Sequence, residues 1–299
     1  MKDFYIVISG SSLNRKIDFS QRSIMTPTSY FLGKKGFTRN PFIPKCKQWF
    51  LDSGGFSLLS IWSDYPFSLE EYVELIKRKK PNYAATMDYA CEPELTITTK
   101  AKEHSRGFDM SVSERIEKTV TNAELLIGSY DFNGATTIIP VIQGWKLDDY
   151  KYCIDLYRKK GLLTDYVAFG SMCRRLKVRE ARRFVVKLTD YLWRFCDAKT
   201  HFFGFKLSFL KDFAIQERIY SADTAAWTHN GMSRKGSKKR MYASTQEELM
   251  RNYYTYIKKV DTILARFKHG SQLRISDAIK QVNLLEQLRD EGVITQHGY

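Results

Sequence analysis

Asp52, Asp88 and Asp223 each stand where a short apolar run gives out, and Gln143, Gly170 and Ser171 stand at the ends of two more such runs. Carboxyl and amide groups gathered from several strand ends can bind a planar ligand by its polar edge, move protons and supply a nucleophile. The most informative stretch is Trp49-Phe50-Leu51-Asp52-Ser53-Gly54-Gly55-Phe56-Ser57, which reads as a buried strand running into a glycine turn that carries a carboxylate. Gly54 and Gly55 let the backbone take positive φ and come close to a ligand, and Phe56 offers a flat apolar face for a planar group. Alone, the fragment reads equally as an Asp-Ser-Gly turn closing a strand. The repetition of polar residues at further strand ends is what loops that merely connect do not produce.

The elements that must position these groups follow one another along the chain. A first strand at about residues 4 to 9 is followed by a polar, basic segment, Ser11 to Lys47, read as one long functional loop. Strands follow at Trp49–Asp52, Tyr83–Asp88, Thr136–Gln143, Tyr166–Ser171, His201–Lys206 and Ile219–Trp227. Helices are expected from Ser68 as N-cap to Pro81, over Ser111–Ser129, Leu147–Lys160 and Val178–Cys196, as a brief turn near Ser208–Ala214, and over Thr245–Phe267 and Ser276–Glu291. Seven short apolar strands of buried rather than alternating pattern, separated by helices, indicate a parallel sheet. The length fits a (β/α)8 TIM-type barrel, one α/β domain over residues 1–299 with an inserted basic loop and the C-terminal helices, from about 245, packed on it. In such barrels the site lies at the C-terminal strand ends, where the polar residues fall. An open doubly wound sheet is the alternative, but no G-x-G-x-x-G follows the first strand.

Forty-eight Lys and Arg against thirty-three Asp and Glu leave a formal charge of +15, which points to a polyanionic partner. Eighteen Tyr, nineteen Phe and five Trp could supply stacking surfaces. The most basic loop holds Arg234, Lys235, Lys238, Lys239 and Arg240. The five cysteines form no C-x-x-C pair and read as reduced thiols of a cytoplasmic protein. His104, His201 and His229 are isolated and read as surface or packing residues, so no metal site is expected. No window approaches the roughly 18 apolar residues of a membrane span.

Asp52-Ser53-Gly54-Gly55-Phe56, Met87-Asp88, Val141-Ile142-Gln143-Gly144, Phe169-Gly170-Ser171 and Ser221-Ala222-Asp223 occur in the order and approximate spacing of the tRNA-guanine transglycosylase superfamily. The small size, the Ser-x-Asp-x-x-x-Trp pattern at Ser221–Trp227 and the missing zinc cysteines resemble most the DpdA-type DNA deazaguanine transglycosylases of phages and bacteria. That resemblance implies exchange of guanine in DNA for a 7-deazaguanine, such as 7-cyano-7-deazaguanine, through a covalent sugar–enzyme intermediate. It makes Asp223 the nucleophile on C1′ and Asp52 the proton-transfer partner of the leaving and entering bases. It gives Asp88, Gln143, Ser53 and the backbone at Gly170 and Ser171 to the base edge, and Phe56 to stacking. The implied enzyme is a pentosyltransferase without cofactor or metal, working in the cytoplasm, or the host cytoplasm if phage-encoded.

The chain departs from the tRNA enzymes in two places. Their C-x-C-x-x-C…H zinc site is replaced by the basic Arg234 to Arg240 loop, and their glycine pair by Gly170-Ser171, with Arg174 and Arg175 close behind. These basic residues are expected on nucleic-acid phosphates. The alternatives are exchange on tRNA, a non-catalytic nucleic-acid-binding member of the superfamily, and an unrelated barrel hydrolase of a phosphorylated small molecule.

Overall fold

Asp3–Val7 (β1) lies between Ser23–Pro27 (β2) and Ser221–Thr224 (β9) and runs parallel to both, with Tyr5 opposite Ser23 on one side and Asp223 on the other. This computed structural model describes residues 1–8, 15–62, 64–93, 110–173, 177–232, 240–242 and 245–266. From β1 the sheet runs one way through Gln48–Asp52 (β3), Tyr83–Ala85 (β4) and Thr137–Ile139 (β5). It runs the other way through Lys199–Phe202 (β8), Tyr166–Phe169 (β7) and Val141–Ile142 (β6), every neighbour parallel.

The two ends of that order, β5 and β6, are separated in sequence by Pro140 alone. Proline has no N–H to give to a ladder, and here the backbone changes partner around it. The Ile139 carbonyl accepts from Thr86 N–H at 3.0 Å, and the Pro140 carbonyl from Ala168 N–H at 2.8 Å. One bent strand therefore closes the ring into the expected α/β barrel.

Helices fill the crossovers: Gly55–Trp62 (α1) and Leu69–Lys79 (α2) before β4, Val112–Ser129 (α3) before β5, Leu147–Lys159 (α4), Val178–Leu192 (α5) and Phe213–Arg218 (α6) before β7, β8 and β9. The start of α2 obeys its sequence signal. The Ser68 hydroxyl accepts from Glu71 N–H at 3.2 Å, and the Glu71 carboxylate accepts from Ser68 N–H at 2.8 Å. By its internal contacts the chain divides into Met1–Tyr253, which holds the barrel, and Tyr254–Tyr299, whose described part is helical. The expected helix at Ser276–Glu291 lies outside the described residues.

Three expectations are corrected. The segment Ser11–Lys47, read as one loop, contains β2, which fills the place in the ring between β1 and β3. Only Ile24 and Met25 in this strand are apolar, and Ser23 and Thr26 are buried by virtue of distant partners. Ser23 donates to Asp3 at 3.2 Å, and Thr26 accepts from the Trp49 indole at 2.9 Å. Second, the turn after Asp52 is only two residues, Ser53 and Gly54, before α1 begins at Gly55, burying Leu58 and Leu59. Third, the basic segment His229–Arg240 is not all loop: His229–Met232 (β10) pairs antiparallel with Arg240–Tyr242 (β11).

The barrel interior is aromatic. Tyr5, Met25, Phe50, Ala85, Ile139, Val141, Tyr166 and Ala168 form one buried cluster, with Phe203 and Tyr220 against it. Trp227 is 2% exposed. Its ring meets Phe19 and Tyr253 edge-on at 6.5 and 5.6 Å, and its indole N–H donates to the Val7 carbonyl at 2.9 Å, tying the end of β1 to the turn after β9. Trp227→Ala should cost about 3–5 kcal/mol, read as a lower urea midpoint by circular dichroism. An unchanged midpoint would show that the ring does not fasten β1 to β9.

Candidate active site

The C-terminal strand ends surround a cavity of about 260 Å³. Asp52 is the last residue of β3, Gln143 directly follows β6, Gly170 and Ser171 directly follow β7, and Asp223 lies within β9. All of these line the cavity, with Asp88 from the loop after β4 and Phe56 from the first turn of α1. Ser53 sits behind Asp88, fully buried. Arg174, Arg175, Arg234, Lys235, Lys238 and Lys239 lie outside the described residues, and of Arg240 only its place in β11 is described.

Asp88 is held on every side. Ser53 donates to Oδ1 at 2.5 Å, the Gln143 amide donates to Oδ2, and Tyr65 Oη donates to the Asp88 carbonyl at 2.8 Å while accepting its N–H at 3.1 Å. The line continues past Gln143. Ser171 Oγ lies 2.7 Å from Gln143 Oε1 and 2.7 Å from Glu92 Oε2, and it accepts Cys91 N–H at 2.9 Å. Ser171 takes a left-handed backbone, φ 54, to put its hydroxyl there, which costs on the order of 1 kcal/mol for a residue with a β-carbon. Gly170 makes the line possible, since a β-carbon at that position would overlap the Gln143 amide.

Counting hydrogens along Asp88, Gln143, Ser171 and Glu92 gives a definite result. The three contacts need three hydrogens; the amide supplies one and the serine hydroxyl one. Because Gln143 gives its N–H to Asp88, its Oε1 takes the Ser171 hydrogen, and the third must sit on Glu92. Burial raises the pKa of Glu92, in agreement with a proton held there.

Asp52 is also expensive to ionise. It lies deep in the protein and only partly open to the cavity; burial, then the charge of Asp88, push its pKa up to about 8, with Asp223 adding to the rise and the Gly54 N–H opposing it. Asp223 is anchored differently. Its Oδ1 accepts Gly204 N–H at 2.8 Å and lies 3.2 Å from His201 Nε2, and among the described residues no hydrogen bond reaches Oδ2.

Sequence reasoning missed Glu92, Tyr65 and His201. Glu92, in the loop after β4, is 1% exposed and lines the cavity. Its signal was proximity in sequence to Asp88. His201, read as a surface or packing residue, is fully buried and touches Asp223. A histidine inside the apolar run His201-Phe202-Phe203 must find polar partners, and that was legible in principle. Tyr65 offered no signal, because its clamp on Asp88 spans 23 residues.

Folding lifts the pKa of Asp52 from 3.8 to about 8, so across that window the folded chain keeps a proton that the unfolded chain releases. Stability therefore falls as pH rises through the window, and Asp52→Asn removes the penalty. The variant should melt above wild type at pH 8, the difference shrinking towards pH 4. An equal or lower melting temperature at pH 8 would mean that Asp52 is ionised and paired.

A sequence model described as DpdA, deoxypurine in DNA protein A, matches residues 34–277. No curated protein matches the chain. Among solved structures, the GH53 catalytic domain of Ignisphaera aggregans aligns over 84% of this chain and 91% of its own, with TM-score 0.40 and 11% identity. The family match spans most of the barrel and every cavity residue named above, and the chain belongs to the DpdA family, whose role is in DNA modification.

Proposed function

We propose that this chain exchanges guanine in DNA for a 7-deazaguanine base through a covalent sugar–enzyme intermediate. The observation that carries the reading is the pair of unlike carboxyls in one cavity: Asp52, which burial keeps protonated at neutral pH, and Asp223, fastened by Oδ1 with Oδ2 unengaged among the described residues. Retaining exchange at an anomeric carbon needs those two groups, one to trap the sugar and one to shuttle protons.

In the first half of the exchange Asp223 Oδ2 bonds to C1′, and the electron pair of the C1′–N9 bond passes to guanine, which takes the proton of Asp52. In the second half the incoming base returns a proton to the Asp52 carboxylate, its nitrogen bonds to C1′, and Asp223 leaves as a carboxylate. Asp88 and Gln143 read the polar edge of the base, and Phe56 stacks on its face. Guanine in a duplex must be flipped out or presented in a single strand to reach these groups, at a cost of a few kcal/mol. Contacts of Arg174, Arg175 and the Arg234–Arg240 segment with phosphates help to offset that cost.

The test is release of labelled guanine from DNA and, separately, from tRNA when 7-cyano-7-deazaguanine or a related base is supplied. Wild type should release guanine from DNA, and Asp223→Asn should lose on the order of 10³-fold or more. Exchange on tRNA alone would favour the alternative substrate. No exchange on either, or a near wild-type rate for Asp223→Asn, would overturn the reading.

A further inference from the structure

Asp223 hangs at the end of a buried line of side chains that the exchange chemistry does not itself require. His201 is fully buried on β8, with its ring edge-on to Tyr5 and Phe203 at 5.8 and 4.6 Å and tilted against Phe50 at 5.2 Å. Both ring nitrogens are engaged. Nε2 faces Asp223 Oδ1 at 3.2 Å, and Nδ1 faces Ser221 Oγ at 2.6 Å. Ser221 Oγ in turn lies 2.5 Å from the Tyr166 hydroxyl. The line therefore crosses three adjacent strands, from Tyr166 on β7 through His201 on β8 to Ser221 and Asp223 on β9.

An ionised Asp223 can only accept, so Nε2 must carry the hydrogen of that contact. The same oxygen takes the Gly204 N–H, delivered from a left-handed turn at φ 60 where a β-carbon would come within 2.6 Å of the Cys173 side chain. Both donors converge on Oδ1, and this leaves Oδ2 as the oxygen that reacts.

We propose that His201 is a positioning residue for Asp223: held in register by Ser221 and Tyr166, it pins Oδ1, leaves Oδ2 to the cavity, and stabilises the carboxylate as it departs from the sugar. The last part follows from charge. When Oδ2 is esterified, Oδ1 is a neutral carbonyl oxygen and a weaker acceptor; when the ester breaks, Oδ1 shares the full negative charge, and the His201 N–H bond strengthens. His201 thus favours discharge of the sugar onto the incoming base over persistence of the adduct. This inference rests on the proposed exchange for its kinetic consequence but not for the contact itself.

The test has two arms, both on the full chain. In the first, ¹⁵N-histidine NMR of the free protein, with His201 assigned by loss of its signals in His201→Gln, should show a protected Nε2–H that shifts strongly in Asp223→Asn. An Nε2 without hydrogen, or one indifferent to Asp223→Asn, would overturn the proposal whatever the activity. In the second, wild type, His201→Ala and His201→Gln are compared in guanine release and in discharge of the adduct onto supplied base. His201→Ala should slow discharge on the order of 10- to 100-fold, the size expected for a lost hydrogen bond to a charged group, and more than it slows release. The adduct fraction then rises while KM for DNA holds. His201→Gln, whose amide N–H can occupy the place of Nε2–H, should recover most of the loss. Equal slowing of both steps with no recovery in His201→Gln would mean a packing role only and would sink the idea. If wild type exchanges nothing, the proposed function fails, and the NMR arm still decides whether His201 holds Asp223.

Discussion

Asp52, Asp88, Glu92 and Asp223 share one small cavity, and neither desolvation nor mutual repulsion allows four neighbouring carboxyls to be ionised together. The rest of the site follows from how that conflict is settled. Asp52 settles it by keeping its proton, because burial and the charge of Asp88 outweigh the one backbone N–H that favours its ionised form. Glu92 settles it by holding a proton against Ser171, and Asp88 by taking hydrogen bonds from Ser53 and Gln143. Asp223 settles it with two donors on a single oxygen. The same side chain in different surroundings becomes an acid in one place and a candidate nucleophile in another, a separation that enzymes of many folds rely on.

Such a settlement demands a rigid frame, since each group is stable only while its partners stay in place. The barrel supplies it by holding Asp52 and Asp223 on strands paired on both sides, with Asp88 and Gln143 soon after β4 and β6. The interior below is packed with aromatic rings, and the polar line from Tyr166 to Asp223 runs through them with its hydroxyls, both imidazole nitrogens and Asp223 Oδ1 paired. Local strain is accepted where it serves the site. Ser171 adopts a left-handed conformation with a β-carbon, and its hydroxyl joins Glu92, Gln143 and the backbone of Cys91 in return.

Much of this was legible from residue order. All seven strands read from apolar runs belong to the sheet, because a strand buried on both faces must be continuously apolar and short. Asp52, Asp88, Gln143, Gly170, Ser171 and Asp223 line the one cavity at the strand ends, since a strand that ends in a polar residue brings that residue to the barrel mouth. What the sequence hid were the relations that only closure creates. β2 is half polar, and its burial depends on Asp3 and Trp49 reaching it from neighbouring strands. His201 looked isolated because its partners, Ser221 and Asp223, are 20 and 22 residues away, although they are adjacent across the β8–β9 pairing. Glu92 is a polar loop residue by composition and a cavity wall by fold, and Ser171 is the link that makes the difference.

The central claim is that Asp223 Oδ2 takes the sugar. The most direct measurement is to denature the wild-type protein during turnover on DNA, digest it, and locate the attached nucleotide by mass spectrometry. The account predicts a deoxyribose ester on the peptide that contains Asp223, formed only when the DNA has lost guanine. An adduct mapped to Asp52, Asp88 or Glu92, or base exchange proceeding with no adduct trapped at any time, would contradict it.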